Sequence, residues 1–169
     1  QYLLFLPIIF IIFFYTYDKY RWIVLIIASF LFYASLGNLY LLLVLILTIC
    51  INYLFGIKIY QSKINKKKFL TLGIILNIVI LICFKYLPFL TMNLNSVLSF
   101  LHINVKLSIP PILIAVGVSF YMLQAISYLY DIYLDKIEPE RHFGYFSLYL
   151  SFFPKLLQGP IERSNDLIP

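Results

Sequence analysis

The sequence predicts an all-α fold, a polytopic bundle of transmembrane helices with about five spans and one further re-entrant or half-crossing helix. Of its 169 residues, 63% are hydrophobic and 12% are charged, and the mean hydropathy is +0.95. These values lie far outside those of soluble domains. The apolar residues form long runs separated by short charged loops. A soluble globule, a disordered chain and a nucleic-acid-binding module are therefore excluded.

The first three spans come from two uncharged runs. Crossing about 30 Å of hydrocarbon requires about 20 apolar residues in a helix. The first run covers residues 1–17 and ends at the charged residues Asp18, Lys19 and Arg21. The second run, 22–57, is about twice the length that one helix needs. Gly37 and Asn38 near its middle predict a turn, so this run is interpreted as a helical hairpin.

Two later spans are separated by a mixed segment. After the polar loop 58–68, a fourth apolar run covers residues 69–90. The segment 91–108 scatters Asn, Ser, His and Lys among Leu and Phe, and we interpret it as an interfacial segment or a loop. The fifth span covers 110–134 and begins with two prolines, which suit a first helical turn.

The last part of the sequence is too short and too interrupted for an ordinary span. After the charged loop 135–142, the apolar stretch 143–153 is too short to cross a bilayer, and prolines and a glycine interrupt the residues beyond it. Irregular backbone at membrane depth is tolerated only beside protein or water. We therefore predict a re-entrant or half-crossing helix here.

The distribution of basic residues predicts the orientation. The loops 18–21 and 58–68 lie on the same side if each span crosses once, and together they hold seven of the thirteen basic residues. Such loops are typically cytoplasmic. The start of the chain and the segment 91–108 are then outside, and the loop 135–142 is inside. We expect a multi-pass protein of the cytoplasmic membrane, with membrane lipid as one partner and no nucleic acid.

The fifth span carries a polar face. Gly117, Tyr121, Gln124, Tyr128 and Asp131 are spaced by four, three, four and three residues, so they share one side of a helix. Polar side chains in a span are costly unless they face protein or water, so this side is expected to point inward. It is interpreted either as the wall of a substrate passage or as a hydrogen-bonded seam between helices.

The broken segment 152–163 offers a second polar wall, or else an ordinary interfacial loop, with Gln158, Glu162 and Arg163 as its polar side chains. The predicted lining of a substrate passage comprises Ser119, Tyr121, Gln124, Ser127, Tyr128, Asp131, Gln158 and Arg163.

The histidines and cysteines do not suggest a catalytic or metal site. His102 and His142 lie in polar segments and are interpreted as solvated loop residues, and Cys50 and Cys83 lie inside apolar runs as small core residues. No His or second Cys stands at metal-ligand spacing from either cysteine. We therefore expect no bound metal or cofactor, and neither histidine is interpreted as a catalytic base.

Several motifs resemble the membrane-bound O-acyltransferase family, in its bacterial branch that O-acetylates extracellular polysaccharides such as alginate. The most specific strings are GVSFYMLQAISYLYDIY at 117–133 and LSFFPKLLQGPIER at 150–163. Shorter matches are LPIIF at 6–10, SFLFYA at 29–34 and INYLFG at 51–56.

The resemblance implies an enzyme whose helices surround a funnel through the bilayer. It implies transfer of an acyl group, expected to be acetyl, from a cytoplasmic thioester such as acetyl-CoA to hydroxyls of a polysaccharide outside. A periplasmic or extracellular acetyl-transferring protein is a possible partner in this family. The family's catalytic His lies in a later helix, so residues 1–169 are expected to be the N-terminal part of a single membrane domain and inactive alone.

The spans and the polar face by themselves also permit a protein that is not an enzyme. A transporter or a structural subunit of a polysaccharide export complex would show the same features. Transporters often contain paired broken helices in two halves, whereas this sequence has one broken segment and no internal repeat. That difference favours the acyltransferase.

Overall fold

A computed structural model describes residues 2–35, 39–62, 64–101 and 117–156 of the chain. Within these ranges the chain forms helices and no strand, which confirms the all-α prediction there. The α-helices are α1 (Tyr2–Tyr15), α2 (Arg21–Ser35), α3 (Leu39–Gln61), α4 (Lys66–Leu81), α5 (Leu87–Phe100), α6 (Val118–Tyr133), α7 (Phe143–Ser151) and the single turn α8 (Phe153–Leu156). A 3-10 turn (Asp18–Tyr20) precedes α2, and a π-helical turn (Ile82–Tyr86) joins α4 to α5.

The uncharged run 22–57 forms the two helices α2 and α3, as predicted. Its expected turn residues, Gly37 and Asn38, lie outside the described residues. The corner between α1 and α2 is fixed by Arg21, whose Nε donates to the Thr16 carbonyl at 3.3 Å and whose guanidinium pairs with Asp18 at 2.5 Å.

The loop 58–68 is shorter than the sequence suggested. Helix α3 continues to Gln61 and α4 begins at Lys66, because Lys and Gln have long, unbranched side chains that favour helix. The ends of α3 and α4 therefore carry several of the basic residues that were assigned to the loop.

The segment 91–108 is helical where it is described, so its interpretation as a loop is wrong over residues 91–100. Neither Gly nor Pro interrupts that stretch, and α4, the π-helical turn and α5 run continuously for 35 residues. At 1.5 Å per residue this amounts to about 52 Å, well beyond the roughly 30 Å of a hydrocarbon core. Part of this helix must therefore lie outside the core if α4 crosses the bilayer, which is compatible with an interfacial α5.

Helix α6 packs against both α3 and α4 at the centre of the bundle. A Cβ atom at Gly56 of α3 would lie 3.0 Å from Tyr128 Cε1. A Cβ atom at Gly73 of α4 would lie 2.8 Å from Leu129 Cδ1. These two glycines allow the close approach that small residues typically provide between membrane helices.

Among the described residues, two helical stretches are long and apolar enough to cross a membrane. They are Leu41–Gln61 and Lys66–Phe84, with mean hydropathies of 2.3 and 2.1. Helices α1, α2 and α6 have 14, 15 and 16 described residues, fewer than the roughly 20 that a full span needs. The count of five spans thus stays a prediction.

The stretch 143–153 contains the nine-residue helix α7, about 14 Å long. The prediction that it is too short to cross is confirmed, and its re-entry into the membrane stays a prediction. Helix α7 packs against α2 and α3, which places its end beside the centre of the bundle.

Candidate functional site

The polar face of α6 points into the bundle, as its spacing predicts. Tyr121 is fully buried, Gln124 and Tyr128 are each 2% exposed, and Asp131 is 9% exposed. Gly117 precedes the helix with a φ of 80°, a left-handed conformation that glycine adopts without a steric penalty. The inward orientation is confirmed, and a role in lining a passage stays a prediction.

The remaining predicted lining residues lie at the edge of this polar face or outside the described residues. Ser119 and Ser127 are half-buried at the flanks of the face. Gln158, Glu162 and Arg163 lie outside the described residues, as does His102.

Gln124 holds the backbone of α7. Its Nε2 donates to the carbonyl oxygen of Tyr149 at 3.0 Å, and both residues are 2% exposed. An unpaired amide at this depth would cost a few kcal/mol. The structure therefore gives Gln124 the interhelical hydrogen bond expected of a seam, and the bond ends near the point where α7 breaks.

A second side chain meets the same break. Between α7 and α8, Phe152 has φ −55° and ψ 108°, which is not helical. The next amide, Phe153 N–H, donates to Ser29 Oγ at 3.2 Å, and Ser29 is fully buried on α2. Helices α2 and α6 thus satisfy backbone groups on both sides of the break. The sequence analysis missed Ser29, although a serine in the interior of an apolar run was a signal.

The loop 135–142 is attached to the bundle by tyrosines. Tyr128 Oη accepts from the Glu140 amide at 3.0 Å, and Tyr53 Oη donates to the Arg141 carbonyl at 2.5 Å. The hydroxyl at the end of the polar face therefore positions this loop through its main chain.

Charged and polar contacts attach the same loop to α3 and α4. Tyr60 Oη donates to Glu138 Oε1 at 3.1 Å. Lys66 Nζ lies 2.5 Å from Asp135 Oδ1. Both contacts lie at the surface of the bundle, and together they fix the direction in which the loop runs.

His142 begins α7 and is more than a solvated loop residue. It is exposed, as predicted, but its Nδ1 accepts from the Tyr145 amide at 3.3 Å and so caps the helix. Its ring also packs edge-on against Trp22, with centroids 4.9 Å apart. A Cβ atom at Gly144 would clash with the Trp22 ring, so α7 sits directly on that indole.

A separate buried polar contact, which the sequence analysis missed, joins α3 to α4. Asn52 Nδ2 donates to Asn77 Oδ1 at 3.0 Å, and Asn77 Nδ2 donates back to Asn52 Oδ1 at 2.8 Å. Each amide also donates to a carbonyl of its own helix, and both side chains are fully buried. An asparagine well inside each of two consecutive apolar runs was the available signal, because such groups need a partner.

An open groove of about 340 Å³ lies between α1, α2 and residues 152–154, and its walls are apolar. Such walls suit hydrocarbon and offer no polar group to a sugar. Over the part of the chain that the structure describes, no group of three or more His, Cys, Asp or Glu residues could hold a metal ion.

The described site is therefore a scaffold for a broken helix. Its polar side chains hold the backbone of α7, the α7–α8 break and the loop 135–142. Gln124 and Ser29 use their polar atoms in these contacts. Such groups can position a reacting segment, and proton transfer to a substrate would require a base from elsewhere.

Comparison with known proteins identifies bacterial acetylases. The chain is 31% identical to the probable alginate O-acetylase AlgI of Pseudomonas syringae, over 97% of its own length and 32% of that protein. It is 30% identical to the protein of the same name from Pseudomonas aeruginosa, over 98% of its own length and 32% of that protein. It is 32% identical to the peptidoglycan O-acetyltransferase of Helicobacter pylori, over 86% of its own length and 31% of that protein.

The chain thus spans about a third of the length of these curated relatives. No family model matches it, and no solved structure matches it significantly.

Proposed function

Because this chain is a homologue of the bacterial alginate and peptidoglycan O-acetylases, we propose that it forms part of a membrane-bound O-acyltransferase that acetylates an extracytoplasmic polysaccharide. The homology confirms the resemblance that the motifs predicted, and it is the observation that carries the proposal. The buried polar scaffold around the α7–α8 break supports it, because the break lies within the string 150–163, one of the two most specific matches of the resemblance.

The reaction joins a sugar hydroxyl to an acetyl thioester, for example acetyl-CoA delivered from the cytoplasm. The hydroxyl oxygen attacks the thioester carbonyl carbon, the new C–O bond forms, and the C–S bond breaks. A base accepts the hydroxyl proton, and the departing thiolate takes up a proton. In this proposal the base is a His on a later helix of the complete protein.

The residues of this chain position the reacting groups. Tyr121, Gln124, Tyr128 and Asp131 form the inner wall, with Ser119 and Ser127 at its edges. The proposal also includes Gln158 and Arg163, which the sequence assigns to the same lining. A periplasmic partner protein that passes the acetyl group onward is compatible with this arrangement.

The test uses the full-length gene in cells from which that gene has been deleted. The gene should restore O-acetyl groups on the cell-surface polymer, and residues 1–169 alone should not. Asp131→Asn in the full-length protein should lower acetylation more than it lowers the amount of protein in the membrane. The proposal would be contradicted if the fragment alone restored acetylation. It would also be contradicted if acetylation of the polymer were the same with and without the gene.

The proposed location is the cytoplasmic membrane, with the loop between α3 and α4 inside. Cys50 and Cys83 are first replaced by Ser. A new Cys at Asn95 should then react with an impermeant maleimide in intact cells, and one at Asn65 should not. The reverse pattern would overturn the orientation.

A further inference from the structure

One side of α4 faces away from the bundle and carries both basic and apolar residues. Leu70, Gly73 and Asn77 are buried on the inner side of the helix. The outer side, together with Ile64 in the turn before the helix, presents what we call the α4 outer stripe. The stripe consists of Ile64, Lys67, Lys68, Thr71, Leu72 and Ile75. These residues recur at helical spacing, and an open trough of about 580 Å³ runs along them.

The two lysines of the stripe differ from their basic neighbours. Lys66 turns toward the bundle and pairs with Asp135, and the Lys58 ammonium lies 5.9 Å from the centre of the Phe69 ring. Lys67 and Lys68 are exposed and make no ion pair with any residue that the structure describes. Two adjacent positive charges are thus available at one end of an apolar trough.

The polarity of the stripe changes along the helix axis. Beyond the lysines, the Thr71 hydroxyl donates to its own helix at the Lys67 carbonyl, 2.9 Å away, and so needs no outside partner. Leu72 and Ile75 follow, each 53% exposed. From Lys67 to Ile75 the axis rises about 12 Å, within the roughly 15 Å of one leaflet's hydrocarbon.

This order, cationic and then apolar, is complementary to an anionic phospholipid. The phosphate lies at the level of the lysines, and an acyl chain continues along Leu72 and Ile75. A soluble acidic partner would leave the apolar part uncovered. A further apolar helix would cover that part and leave two ammonium groups without counter-charge, so the charge pattern favours a lipid.

We propose that the α4 outer stripe is a binding site for an anionic phospholipid of the leaflet that contains the loop between α3 and α4. Lys67 and Lys68 bind the phosphate, and Leu72 and Ile75 hold one acyl chain. The site is independent of acetyl transfer and would exist whether or not the protein is an enzyme.

The test places the full-length protein in nanodiscs with equal amounts of phosphatidylglycerol and phosphatidylcholine. Lipid retained by the protein after transfer to detergent is identified by mass spectrometry. The wild type should retain phosphatidylglycerol in preference. Lys67→Gln with Lys68→Gln should lower that preference roughly thirtyfold, since each lysine near a membrane surface contributes about 1 kcal/mol and about 1.4 kcal/mol corresponds to tenfold. Ile75→Trp, which fills the trough without changing charge, should also lower retention.

The matched control is Lys19→Gln with Lys136→Gln, which removes two exposed charges away from the stripe. It should keep the wild-type preference. An equal loss in this control would show general attraction to the surface and overturn the site, as would unchanged retention in the stripe variants. A photo-crosslinker at Leu72 should add the mass of a phospholipid, and cross-linking to another protein segment instead would also refute the proposal.

Discussion

Two buried regions of the bundle provide hydrogen-bond partners for their polar side chains in different ways. Between α3 and α4, Asn52 and Asn77 exchange hydrogen bonds and satisfy each other side chain to side chain. Around the α7–α8 break, Gln124 and Ser29 bond instead to main-chain groups of a different helix. Both regions exclude water, and all four side chains are at most 2% exposed.

The first kind of contact is expected to stabilise the fold, and the second to position the broken segment. The asparagine pair joins two regular helices that are already complete, so its loss removes binding energy between them and little else. The second region bonds to backbone groups on both sides of the α7–α8 break, so its loss allows the broken segment to move. We therefore expect variants in the first region to change the amount of folded protein, and variants in the second to change activity per molecule.

The largest effect is expected for Gln124→Leu in the full-length protein. Without the amide, the hydrogen bond from α6 to the Tyr149 carbonyl is lost and the break shifts. Displacements of about 1 Å near reacting groups can cost 10²-fold in rate, so acetylation per molecule should fall roughly tenfold to a hundredfold. Polymer acetylation and membrane abundance are measured on the same cells.

The control is Leu123→Ala, on the exposed side of the same helix, which should change neither quantity strongly. If acetylation of the Gln124→Leu variant falls only in proportion to its abundance, Gln124 belongs to a packing seam and the distinction between the two regions fails.

Asn52→Leu should act on stability. It leaves the Asn77 amide buried with an unmet hydrogen bond, which costs about 1–3 kcal/mol. The melting temperature of the purified protein and its membrane abundance should fall, and acetylation per molecule should stay at the wild-type value. Asn93→Leu is the control, because Asn93 is exposed and bonds to its own helix. Lost activity at normal abundance would place Asn52 with the positioning residues.

Ser29→Ala should have a smaller effect of the same kind as Gln124→Leu. It removes the acceptor of the Phe153 amide, a bond that contributes about 1 kcal/mol, and acetylation per molecule should fall several-fold. Ser35→Ala is its control, since that hydroxyl bonds to the Phe32 carbonyl of its own helix. If both contacts hold one break, the double variant with Gln124→Leu should be less harmful than the product of the two single effects. Independent effects would argue against a shared role.

The smallest effect is expected for the double variant Asn52→Leu with Asn77→Leu. Replacing both partners of a buried hydrogen bond by apolar groups is nearly neutral, so the melting temperature should return close to that of the wild type. A double variant as unstable as the sum of its single variants would show that the pair depends on other groups.

The sequence was sufficient for features that depend on one helix. The spacing from Tyr121 to Asp131 predicted a buried face because a single helix has a fixed period, and the short run after Phe143 predicted a helix too short to cross. The pairing of Asn52 with Asn77 depends on which sides of α3 and α4 meet, and spacing within one run does not contain that information.

Helix ends and contacts between distant segments were harder to predict. Lys66 was assigned to a loop because it is charged, yet its long aliphatic side chain favours helix and its ammonium reaches Asp135. Ser29 was one polar atom in an apolar run, and its partner is a main-chain amide 124 residues away. A backbone amide has no signature in the sequence, so only the helix break near Pro154 indicated that such a partner was needed.

Ser29 also matters for how the protein is inserted into the membrane. At about 5 to 20 residues per second, synthesis needs about 6 to 25 s to proceed from Ser29 to Phe153, and during that time α2 has no amide partner from α8. Its hydroxyl is nevertheless bonded, because Ser29 Oγ donates to the Leu25 carbonyl of its own helix at 2.7 Å. The serine is therefore satisfied in the bilayer before α8 is made, since its hydroxyl donates to its own helix and can later accept from the Phe153 amide. The late segment therefore docks onto a helix that was stable in lipid before it arrived.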